Sequence, residues 1–123
     1  MDASILQQRL LIFAVRVGRI IDRLPRTQMG RHICRQLVRC GTSPAPNYAE
    51  ACAAESSNDF IHKLSICLKE LRESRVWFQL ICKAELINDE ELEGVLDEAE
   101  QLSKIIAKSI LTAKNNRRKS LKK

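Results

Sequence analysis

The chain has 123 residues, 21 Lys/Arg against 15 Asp/Glu and a formal net charge of +6. That length holds one domain, few glycines, prolines and aromatics beside much Ala, Leu, Ile, Arg, Lys and Glu are helix-former chemistry, and five cysteines without a Cys-x-x-Cys read as free thiols. The charge falls in blocks. Residues 1–48 hold eight arginines and two aspartates, residues 49–112 are net −6, and residues 113–123 are net +6. Such asymmetry suggests a polyanionic partner or a basic surface that meets an acidic one.

A first helix is predicted over about Ser4–Leu24, where Leu6, Leu10, Phe13, Val17, Ile20, Ile21 and Leu24 share a face. The apolar run Leu10–Val15 is broken by Arg16, far short of the ~20 residues of a membrane span. No basic n-region or cleavage site opens the chain, and the free cysteines suit a reducing compartment, so a cytoplasmic location is expected. Pro25 stops the helix. A second helix opens near Thr27 and reaches about Cys40, with Met29, Ile33, Leu37 and Cys40 as its stripe and Gly41 as a left-handed cap.

Pro44 and Pro46 predict an irregular joint. A short helix is expected over about Asn47–Ala54, with Asn47 as its cap and Glu50 bonding back to free amides. Ser56, Ser57 and Asn58 offer caps for a long helix reaching about Glu85, with Phe60, Leu64, Cys67, Leu71, Phe78 and Ile81 in one arc. Ile66, Val76, Trp77 and Leu80 form a second apolar side, and Ile66, Trp77 and Leu80 are the expected oligomer contact. Packing within the bundle is the simpler alternative. Asn88 with Glu91 reads as a capping box for a last helix built on Leu92, Val95, Leu96, Ala99, Leu102, Ile106 and Ile110. From Asn115 the chain turns polar and basic, which predicts a flexible tail over 115–123 after a bundle domain over 1–114.

The expected fold is all-α: an antiparallel four-helix bundle with a broken second helix. Arg9, Arg16, Arg19 and Arg23 fall within about 80° on the first helix. Arg31, Arg35 and Arg39 recur every four residues on the second. Together with Arg117, Arg118 and Lys119 of the tail they are the expected nucleic-acid contacts, since guanidiniums fork onto phosphates. Neutralisation by acidic residues of neighbouring helices competes with that reading. Aromatics do not interleave with these arginines, so backbone and shape recognition is favoured over base stacking.

No catalytic constellation, phosphate loop, metal-ligand spacing or cofactor motif is found. The chain is therefore expected to be no enzyme and to hold no metal or cofactor. An enzyme here would have to use Glu50, Glu70 or Glu73, which the sequence explains as capping and salt-network residues.

Ser43, Asn47, Glu50, Asp59 and Phe60 resemble a signature of the four-helix-bundle family of proteins encoded in 23S rRNA intervening sequences. The run KLSICLKELRESRVW is similar to that family's long helix, and Pro44-Ala45-Pro46 departs from its usual joint. The resemblance implies a ring-forming homo-oligomer, commonly a pentamer. It also implies kinship with the accessory protein that works beside the reverse transcriptase of diversity-generating retroelements. RNA or DNA, a second copy of the chain, and a reverse transcriptase are the partners that follow from it, or else an acidic protein if the chain is only an adaptor.

Overall fold

A computed structural model describes residues 1–122. It contains five helices: α1 (Ala3–Arg23), α2 (Gln28–Thr42), α3 (Pro44–Cys52), α4 (Ser57–Lys83) and α5 (Glu90–Leu121). The small α3 follows α2 after a single residue, so the two form one broken helix and the architecture is a four-helix bundle. Side by side, α1 packs on α2/α3, α2/α3 on α4, α4 on α5, and α5 on α1. The diagonal helices α1 and α4 meet through side chains at the centre, where Phe13 and Phe78 stand edge to face with centroids 6.3 Å apart.

The core follows the 3.6-residue pattern. Leu6, Leu10, Phe13, Val17, Ile20 and Leu24 are buried on α1. Leu64, Cys67, Leu71, Phe78 and Ile81 are buried on α4, and Leu92, Val95, Ala99, Leu102, Ile106 and Ile110 on α5. Four helix starts are capped by side chains: Asp2 accepts from Ser4 N–H, Thr27 from Gly30 N–H, Ser56 from Asp59 N–H, and Asp89 from Leu92 N–H.

Several local expectations are corrected. Met29 is exposed, and Gly30 takes the buried position at the start of α2. A Cβ on Gly30 would come within 2.0 Å of the Pro25 carbonyl oxygen, so only glycine lets α2 approach the turn this closely. Gly41 is no left-handed cap. It is helical, and a Cβ there would meet Val17 at 2.6 Å, so its smallness seats α2 against α1.

The proline joint is nearly seamless. Pro44 takes the first position of α3, where no amide donor is needed. Asn47 lies inside α3 and donates to the Ser43 carbonyl rather than capping. Glu50 pairs with Lys63 at 2.8 Å, tying α3 to α4.

The left-handed cap occurs instead at Glu85 (φ 56°), where Leu86 N–H bonds back to the Ile81 carbonyl and Glu85 N–H to Cys82. Asp89, not Asn88, caps α5 by accepting from Leu92 N–H. Finally, α5 runs on through Leu121, where the sequence suggested a flexible tail from Asn115. Lys123 of that tail lies outside the described residues.

Candidate nucleic-acid interface

The predicted arginine ridge divides into three groups once the helices are packed. The first is a seam. Arg9, Arg16 and Arg23 are seven residues apart, so they line one edge of α1. That edge runs antiparallel to the acidic first half of α5. Arg9 forks onto Glu98 with contacts of 2.5 and 3.1 Å. Hydrogen bonding to Glu98 holds Arg9 even more firmly protonated. Arg23 reaches Glu91 at 3.2 Å and also contacts Asp89. Between them, Arg16 lies across Gly94. Its Nη2 is 2.7 Å from where a Cβ would stand. The absence of a side chain there gives Arg16 a place to rest on α5.

The second group is Arg39 alone. It bridges α2 to α4, contacting Glu70 at 2.6 Å and Glu73. Glu73 also accepts from Trp77 Nε1 at 3.1 Å, and the Trp77 ring stands edge-on to His32. Glu70 is thus a buried carboxylate with a cationic partner. Arg9, Arg23 and Arg39, expected at a nucleic-acid surface, thus each face carboxylates of the same chain. Their guanidiniums are committed to carboxylates inside the chain, because the bundle lays the acidic block over the basic one.

The third group is free. Arg19, Arg31 and Arg35 are exposed and form no ion pair among the described residues. Arg26, in the α1–α2 turn, joins them. Sequence reasoning missed it because it sits in a connection, where no helical register could assign it to a face. These four mark one end of the bundle.

The tail residues stand at the opposite end. Arg117 donates to Asn58 at 2.8 Å, while Arg118 and Lys119 are exposed. Arg23 meets the start of α5, so Arg117 lies about 40 Å from the hairpin at 1.5 Å per residue. A single chain does not merge the two basic elements.

The residues expected at an oligomer contact are half-buried. Trp77 and Leu80 pack against the core, and Ile66 is partly covered. A larger outward apolar face lies on α1, where Ile5, Leu11, Ile12 and Val15 are about half exposed.

No group of three His, Cys, Asp or Glu side chains is placed to hold a metal among the described residues. No described helix is long and apolar enough to cross a membrane.

The fold and this surface define an all-α bundle protein whose distinctive chemistry is electrostatic. Residues 3–108 match the 23S rRNA-intervening sequence protein family, and the chain belongs to that family. It is similar to a crystal structure of a protein with unknown function from the S23 ribosomal protein family of Bacteroides thetaiotaomicron. The two are 33% identical with a TM-score of 0.79, over 85% of this chain and 97% of the other. No curated protein matches the chain.

Proposed function

We propose that this protein is a non-catalytic, oligomeric nucleic-acid-binding protein that grips phosphates through the α1–α2 hairpin. The observation that carries this reading is the set of four unpaired arginines, Arg19, Arg26, Arg31 and Arg35, left at one end after the bundle has neutralised Arg9, Arg23 and Arg39. Unpaired guanidiniums keep their full capacity for forked phosphate contacts. Structured RNA is the ligand class this reading proposes, since backbone and shape recognition needs no base stacking. The exposed end of α5, with Lys114, Arg118, Lys119 and Lys122, adds a second, non-specific attraction.

Self-association into a ring, a pentamer in the form the resemblance implies, would place several hairpins side by side and multiply weak contacts. A role beside a reverse transcriptase of a diversity-generating retroelement fits such a binder, acting in the cytoplasm.

The adaptor reading has one specific observation in its favour. The outward face of α1 carries Ile5, Leu11, Ile12 and Val15, an apolar stripe of the kind that marks protein contact. Binding to a structured RNA and to duplex DNA across a salt series separates the readings. Tight binding with a steep salt slope supports the first. No binding at low salt refutes it and leaves the adaptor. Light scattering tests assembly: Val15→Glu should lower the mass if α1 forms the contact, and Trp77→Ala if α4 does. A wild-type mass of one chain would refute the oligomer.

A further inference from the structure

Between the end of α1 and the outer side of α2 lies a cleft of about 410 Å³. Its walls include Arg26, Arg31 and Arg35, and one carboxylate, Asp22, with Cys34 between them. Arg31 and Arg35 are one turn apart and project to the same side of α2. Arg26 enters from the turn, and Asp22 from the last turn of α1. None of these four charged groups is in an ion pair among the described residues. The Cys34 thiol donates to the Ile21 carbonyl, and burial pushes its pKa up, so it forms a neutral wall.

Three guanidiniums alone would describe a phosphate site. The carboxylate changes the ligand. An ionised Asp accepts hydrogen bonds and cannot donate. It repels a phosphate oxygen and requires a donor beside the anion. A phosphate ester with a hydroxyl a few ångströms away meets both demands. The cleft volume lies in the range of small-ligand sites and has room for one nucleotide unit.

The geometry points to a ribose-phosphate subsite, in which Arg26, Arg31 and Arg35 hold the phosphate and Asp22 accepts from the ribose 2′-hydroxyl. This inference rests on the phosphate-binding reading and deepens it: the hairpin distinguishes RNA from DNA, because only RNA brings the 2′ donor.

The test measures affinity of the full chain for a hairpin RNA and for the DNA of the same sequence at fixed salt. Wild type should prefer RNA by about tenfold, the scale of one charge-assisted hydrogen bond. Asp22→Ala should abolish the preference while tightening DNA binding, since a repelling charge has gone. Asp22→Glu should restore part of it. Arg31→Ala with Arg35→Ala should weaken both ligands. Equal wild-type affinity for RNA and DNA, or a preference that survives Asp22→Ala, would overturn the subsite and leave phosphate binding standing. Failure to bind either ligand would overturn both. Competition by adenosine 3′-monophosphate over its 2′-deoxy form would support the subsite with a free nucleotide as its source. Competition by RNA alone would support it with the polymer.

Discussion

The α1–α5 seam and the α1–α2 hairpin are built from the same side chain recurring along a helix face, yet its charge meets opposite surroundings in the two. In the seam, Arg9 and Arg23 meet Glu98, Asp89 and Glu91, and their charge is spent on joining two helices. In the hairpin, Arg31 and Arg35 face outward with no carboxylate partner. The difference is set by the neighbour and not by the arginine. The helix beside the first group carries the acidic block, while the cleft beside the second holds only Asp22. A run of one charge sign is thus a binding surface only where packing leaves it unmatched.

The largest effect that sharpens this comparison is structural. Gly30 and Gly18 both lie in the hairpin. A methyl on Gly30 collides with the Pro25 backbone, whereas one on Gly18 meets nothing within 4 Å. Gly30→Ala should therefore destabilise the protein by about 3 kcal/mol, because backbone cannot move aside as a side-chain tip can. Gly18→Ala should stabilise it by about 0.5–1 kcal/mol through helix propensity alone. Chemical denaturation read by circular dichroism measures both. Equal effects would mean that α2 does not pack on the turn as described.

The cysteines give a smaller, sharper readout. Cys40 is pushed up to about 11 and Cys67 to about 12, chiefly by burial. Both should stay unlabelled by a thiol reagent at pH 8, while exposed Cys52 and Cys82 react rapidly. Mass spectrometry after brief labelling counts the adducts. Fast modification of Cys40 would show that the α2–α4 contact, where Ser74 meets that thiol, opens readily.

The smallest effect concerns the turn that leads into the acidic half of the seam. Glu85 holds a left-handed conformation that glycine adopts without strain. Glu85→Gly should raise stability by about 1 kcal/mol, and a loss would contradict the turn geometry.

Much of the fold could be read in the sequence, because burial obeys one period along each helix. Leu6, Leu10, Phe13, Val17 and Ile20 are all found inside. What escaped notice depended on contacts across helices. Nothing within α2 distinguishes Gly41 as a seat for Val17 from Gly41 as a cap. The Pro44–Pro46 joint looked irregular because proline usually breaks a helix, yet a first-turn proline fits α3. The tail looked flexible by composition, but Ala113 packs against the core and Arg117 reaches Asn58, so α5 continues. The site suffered the same blindness. Arg9 and Arg31 look alike in one dimension, and only the antiparallel pairing of α1 with α5 reveals which is neutralised. Arg26 and Asp22 gained meaning only when two helix ends formed a cleft.

The most direct test compares two double variants in structured-RNA binding across a salt series, with circular dichroism as a check on folding. Arg31→Ala with Arg35→Ala should lower affinity at least tenfold and flatten the salt slope by about two phosphate contacts while the melting curve holds. Arg9→Ala with Arg23→Ala should lower thermal stability and leave affinity within about twofold. Equal losses of affinity from the two pairs, or a greater loss from the seam, would contradict the claim that packing decides which arginines bind.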